Sequence, residues 1–128
     1  MNYYFSTTLA MDFDKAIEAT TAALKEEGFG VLTEIDIAQT MKKKLDVDLP
    51  KYKILGACNP QYAYRALQAE NKIGTMLPCN VIVQDAGGGK VEVSAVNPLA
   101  SMQAVETPEL GSRAQEVTVK LPRVISSL

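Results

Sequence analysis

The chain has 128 residues, 47% of them hydrophobic and 22% charged, the balance of one globular domain spanning 1–128. Thirteen Lys and Arg against 15 Asp and Glu leave a net charge of −2, which argues against nucleic acid as a partner, because phosphate binding needs a basic excess or stripe. Histidine and tryptophan are both absent, so no Ser-His-Asp or Cys-His pair and no histidine-ligated metal site can be built.

The first ten residues lack the basic start and unbroken apolar stretch of a signal peptide. No apolar run approaches the roughly 18–20 residues that span a bilayer. Two cysteines in a chain of this size do not make a disulfide framework. A reducing cytoplasm is the expected location, with no membrane partner.

Residues 2–9 alternate and are rich in aromatic and β-branched types, the pattern of a strand. Asp12 is a helix cap, and Phe13, Ile17, Thr20 or Thr21, and Leu24 carry an apolar stripe over a helix at about 12–27, stopped at Gly28. Phe29, Val31, Thr33 and Ile35 then share one face of a predicted second strand. Asp36 with Gln39 resembles a capping box, and Ile37, Met41 and Leu45 lie four apart on a short helix. Lys42, Lys43 and Lys44 fall in its last turn, where positive charge suits the helix dipole.

Residues 52–57 read as a short, largely buried strand. Asn59-Pro60 is a strong helix start, and the helix that follows should run to about Lys72, burying Ala63, Ala66, Leu67 and Ile73. Residues 79–84 and 90–96 alternate around Asp85-Ala-Gly-Gly-Gly89, a hairpin whose glycines supply positive φ. No helix follows these glycines, so they are not a phosphate loop. A short helical turn at 98–106 should point Leu99 and Met102 inward. Thr107-Pro108 opens a last helix marked by Leu110, Ala114, Val117 and Leu121, which Pro122 should end or kink.

The order β-α-β-α-β-α-β-β-α defines an α+β domain, expected to hold a mixed five-stranded sheet with helices mainly on one face. The other face then needs cover, and a second subunit supplies it most economically, so a homodimer is expected. Glu34, Asp36, Glu92 and Ser94 are the alternative, a simply polar face.

Gly56-Ala-Cys-Asn-Pro60, Leu77-Pro-Cys-Asn80 and Asn97-Pro98 stand out as candidate chemistry. Cys58 precedes a helix start, where a thiol can be biased toward the thiolate. Cys79 opens the next strand, so the two thiols can converge near one sheet edge with Asn59, Tyr62 and Asn80 as ligand-binding candidates. A reversible disulfide, a sulfur-carrier thiol and a soft-metal site are the functional readings. Against them stand the lack of Cys-x-x-Cys spacing and the shortage of ligands for structural zinc, so no metal or cofactor is expected. The reading favoured over these is that both cysteines are small buried hydrophobes, a common fate of free cysteine. Glu34 and Asp36 could act as paired carboxylates, although Asp36 already has a capping role. Tyr62 and Tyr64 point to different sides of their helix, and Arg65 reads as a surface residue near the candidate site.

Together with the Gly-Phe-Gly-Val-Leu-Thr-Glu-Ile-Asp-Ile stretch at 28–37 and Thr40-Met-Lys-Lys-Lys-Leu45, these Cys-Asn segments make the chain resemble the bacterial and archaeal domain-of-unknown-function 302 family over nearly its whole length. The resemblance implies a small standalone α+β domain, dimeric, with no established activity. With no catalytic constellation in the residues, the expected function is a dimeric non-enzymatic small-ligand-binding or regulatory protein. The alternative is a thiol-dependent redox or sulfur-handling protein using Cys58 and Cys79.

Overall fold

In a computed structural model, which describes residues 2–105 and 108–128, period-two alternation builds β1 (Tyr4–Leu9), β2 (Gly30–Asp36), β3 (Tyr52–Cys58), β4 (Cys79–Gly87) and β5 (Lys90–Val96). Alternation sends Leu55, Ala57, Val81, Val83, Val91, Val93 and Ala95 to one face, and all are buried. Two amphipathic helices cover that face. α1 (Phe13–Glu26) contributes Phe13, Ala16 and Leu24, and α5 (Pro108–Ser126) contributes Val117, Leu121, Val124 and Ile125 to the same core. Each fully buried Leu or Val of this kind contributes about 1.5–3 kcal/mol.

The α+β class holds, but the sheet is antiparallel throughout and not mixed, in the order β1-β5-β4-β3-β2. The β1–α1–β2 connection carries the chain from one edge of the sheet to the other, so β1 and β2, which run the same way, never become neighbours. The remaining connections each bring the chain back beside the strand it has just left. Helices interleaved with strands therefore gave no parallel pair here.

Local capping follows the side chains. Asp12 accepts from Lys15 N at 3.4 Å, and Asp36 accepts from Gln39 N at 2.9 Å to start α2 (Ile37–Leu45). Ile37 and Met41 are only half-buried and Leu45 is exposed, so α2 is peripheral. Gly87, Gly88 and Gly89 all take positive φ in the β4–β5 hairpin, and Asp85 Oδ1 accepts from Gly87 N at 2.8 Å.

Three expectations change. A bulge between Val31 and Thr33 resets the alternation of β2: Val31 faces Ala57 on the helix-covered side, while Thr33 stands opposite Gly56 on the other. The helix after Pro60 is shorter, with α3 (Pro60–Ala69) followed by a 3₁₀ turn (Asn71–Met76); Ala66 and Ile73 are buried but Leu67 is exposed. Pro122 does not end α5, because Val124 and Ile125 are held in the core beyond it, offsetting a cost of about 3 kcal/mol for proline inside a helix. The Thr107 cap and the Leu110 side chain lie outside the described residues. Among the described residues, no helix is long and apolar enough to cross a membrane.

At Gly56 the backbone has no room for a side chain. A Cβ there would press on Thr33 Oγ1 and lie 2.8 Å from Pro78 Cγ. Gly56→Ala is therefore expected to destabilise the fold by about 1–3 kcal/mol, as overpacking does. A lowered urea midpoint checks this; an unchanged midpoint contradicts the close packing of β2, β3 and Pro78.

Candidate functional site

The site forms where β3 ends and β4 begins. The register pairs Ala57 with Cys79, so Cys58 stands one residue beyond the cross-strand partner of Cys79. Immediately after it, Asn59 caps α3, its Oδ1 accepting from Tyr62 N at 3.5 Å. Gly28, at φ 86°, leaves space for this cap: Asn59 Nδ2 lies 3.1 Å from where a Gly28 Cβ would stand. On the other strand the chain enters β4 through a cis Leu77–Pro78 bond.

Between these segments is a cavity of about 40 Å³, bordered by Cys58, Asn59, Tyr62 and Cys79. Four alanines, Ala57, Ala63, Ala66 and Ala114, also border it, and their short side chains leave the space unfilled. α4 (Pro98–Ser101) closes another side with Pro98 and the Met102 that follows it. Asn97 seats this wall: its Oδ1 accepts from Leu99 N at 3.1 Å, and its Nδ2 donates to Asn2 O at 2.9 Å. No residue bordering the cavity carries a formal charge. A space of this size admits a water or a ligand of a few heavy atoms, and its apolar walls favour the second.

Of the residues singled out from the sequence, Cys58, Asn59, Tyr62 and Cys79 share this cavity, and Asn80 does not. Asn80 borders a groove of about 480 Å³ on the helix-free face, with Tyr3, Tyr4, Tyr52, Ile82 and Glu92. Strand alternation already carries the reason, since Cys79 and Asn80 are successive strand residues. Tyr64 is exposed, as a residue on the opposite side of α3 from Tyr62 must be. Glu34 is taken up by an ion pair with Lys53 at 2.8 Å, and that hydrogen bond is the main reason the Lys53 pKa is raised. With Asp36 capping α2, the two carboxylates are committed locally. The walls from Phe29, Met102, Ala114 and Val117 are long-range contributions: the sequence marks each as an apolar position of its own element but does not join it to this site.

Both cysteines are free and partly buried. Burial pushes the Cys58 thiol up from its ordinary value. The Cys79 thiol is pushed up to about 11, first by burial and then by the charge of Cys58. Both thiols are thus held protonated near neutral pH, the less nucleophilic form.

This combination is that of a small antiparallel α+β domain with an apolar cavity at a strand-to-helix junction, carrying two thiols in its wall. The family described as Domain of unknown function DUF302 matches residues 5–128, and the chain belongs to that family. A solved structure described as an uncharacterized conserved protein DUF302 from Bacillus stearothermophilus is similar at 25% identity and a TM-score of 0.89, over 98% of each chain. A search of curated proteins returns no match.

The raised thiol carries a consequence for stability. Folded Cys79 holds its proton more tightly than the unfolded thiol, so its contribution is complete below pH 9 and is lost as pH rises toward about 11. Replacing Cys79 by Val should flatten that loss in thermal melts across this range. An identical alkaline slope in wild type and Cys79→Val contradicts the buried, protonated thiol.

Proposed function

We propose that this domain is a non-enzymatic small-ligand-binding or regulatory module, acting as a homodimer, whose ligand occupies the cavity at the β3–α3 junction. The observation that carries this is the convergence of Cys58, Asn59, Tyr62 and Cys79 on one uncharged, alanine-lined space. Close-packed interiors leave few voids larger than a water molecule. The raised thiols support binding over nucleophilic chemistry, because catalysis by cysteine needs the thiolate.

A thiol-dependent redox or sulfur-handling role has one observation in its favour: the two thiols are close enough for Cys58 to raise Cys79. Successive alternation sends residues one register apart to opposite sides of a sheet, which disfavours a direct disulfide without backbone movement. Binding is therefore preferred.

The homodimer reading draws on the helix-free face. Tyr4, Ile82 and Val96 present apolar surface there beside the Gln84–Glu92 hydrogen bond of 3.0 Å, and a second copy would cover it. Under this reading Ile82→Asp yields monomers in sedimentation analysis while the wild type sediments as a dimer; a monomeric wild type contradicts it.

The cavity is tested by titrating short-chain hydrocarbons and thioethers into isotope-labelled protein. Amide shifts should concentrate at Cys58, Tyr62, Cys79 and Val117, and Ala63→Leu, which fills the space, should abolish them without unfolding the chain. Shifts absent there, or unaltered by Ala63→Leu, overturn the assignment.

A further inference from the structure

The two edges of the sheet differ. At one, β2 is interrupted by its bulge and ends in Glu34 and Asp36, with Glu34 bound to Lys53 at 2.8 Å. Bulges and charges of this kind blunt an edge. At the other, β1 reads Tyr-Phe-Ser-Thr-Thr-Leu, with no charge, no proline and no shift in its register with β5.

That register fixes which main-chain groups of β1 point outward. Tyr3 O accepts from Asn97 N at 2.8 Å, and this pair continues the ladder that sets Tyr4 opposite Val96. Antiparallel ladders alternate bonded and non-bonded pairs. Phe5, Thr7 and Leu9 therefore bond to β5, while the N–H and C=O groups of Tyr4, Ser6 and Thr8 face away from it, on a side where β1 has no neighbouring strand. Beside them, toward α5, runs a groove of about 520 Å³ bordered by Phe5, Thr7, Pro122 and Ile125, with no formally charged residue in its walls.

We propose that β1 is a docking edge for an extended, uncharged peptide segment of a partner protein, which joins the five strands as a further antiparallel one. Donors and acceptors repeating at strand spacing are matched in series by another extended backbone, two bonds at each of Tyr4, Ser6 and Thr8. Alternation then sends the peptide side chains opposite Phe5 and Thr7 over the groove. Valine-sized apolar groups suit those positions, whereas a charged group would be desolvated there without a partner. The choice of another chain as occupant rests on the homodimer reading: a second copy is assigned to the helix-free face, and self-pairing at β1 as well would carry assembly beyond two chains.

The experiment uses the whole isotope-labelled chain and the synthetic peptide acetyl-Lys-Thr-Val-Thr-Val-Thr-Lys-amide, read by amide hydrogen exchange. In the free chain the amides of Phe5, Thr7 and Leu9 should exchange slowly and those of Tyr4, Ser6 and Thr8 fast; peptide should slow the second set by about tenfold or more and leave the first unchanged. N-methylation of the peptide's three threonines removes the donors that face β1 and should weaken binding by about tenfold or more, while N-methylation of its two valines should not. Aspartate in place of both valines should weaken it as well. Ser6→Pro, which removes an outward N–H and spares the ladder to β5, should lower affinity with an unchanged circular dichroism spectrum; the methylated peptides make the same test without altering the protein. Peptide protection in a chain that sediments as a monomer upholds the edge while the homodimer falls. No slowing at Tyr4, Ser6 and Thr8, or equal binding of the two methylated peptides, overturns the proposal. So does slowing that needs no peptide and grows with chain concentration, which identifies a second copy as the occupant.

Discussion

Everything in this molecule depends on covering one apolar face of an antiparallel sheet. Leu55, Val81, Val83, Val91 and Val93 are buried there, and α1 and α5 supply the cover. Those two helices pack mainly on β1, β4 and β5, with α1 also reaching β2. Toward the end of β3 the cover passes to α3, α4 and the middle of α5, which meet through alanine and proline. Small side chains at that meeting leave space where larger ones would have closed it. The cavity is thus a product of how the core is completed, and the cap at Asn59 fixes where α3 begins relative to it.

That position decides the chemistry. The strand-to-helix junction puts one thiol near a helix start, which biases it toward the anion, and inside apolar packing, which biases it toward the neutral form. Burial prevails: both thiols are raised. A protonated thiol is a poor nucleophile.

Much of the fold was legible because its signals are local. Asn59-Pro60 and Asn97-Pro98 announce helix starts by a side-chain acceptor followed by a residue lacking an N–H, and both caps form. The glycine turn at 87–89 needs positive φ and takes it. What escaped was set by distant partners. The bulge at Leu32 follows from the pairing of β2 with β3, and the helix beyond Pro122 from burial of Val124 and Ile125. The antiparallel order follows from where α1 delivers the chain across the sheet. In the site, Cys58, Asn59, Tyr62 and Cys79 were readable from two short segments, whereas Ala114 and Val117 reach it from a helix near the end of the chain. The separation of Asn80 was readable too, since alternation alone assigns it to the opposite face from Cys79.

The central claim is that the space between the thiols, Tyr62 and Val117 accepts an occupant from solution. A crystal of the protein pressurised with xenon tests it most directly, because xenon enters apolar cavities without needing a specific contact. The account predicts a xenon peak bordered by Tyr62, Cys79 and Val117. Xenon bound only on the helix-free sheet face, with this cavity empty, would contradict it.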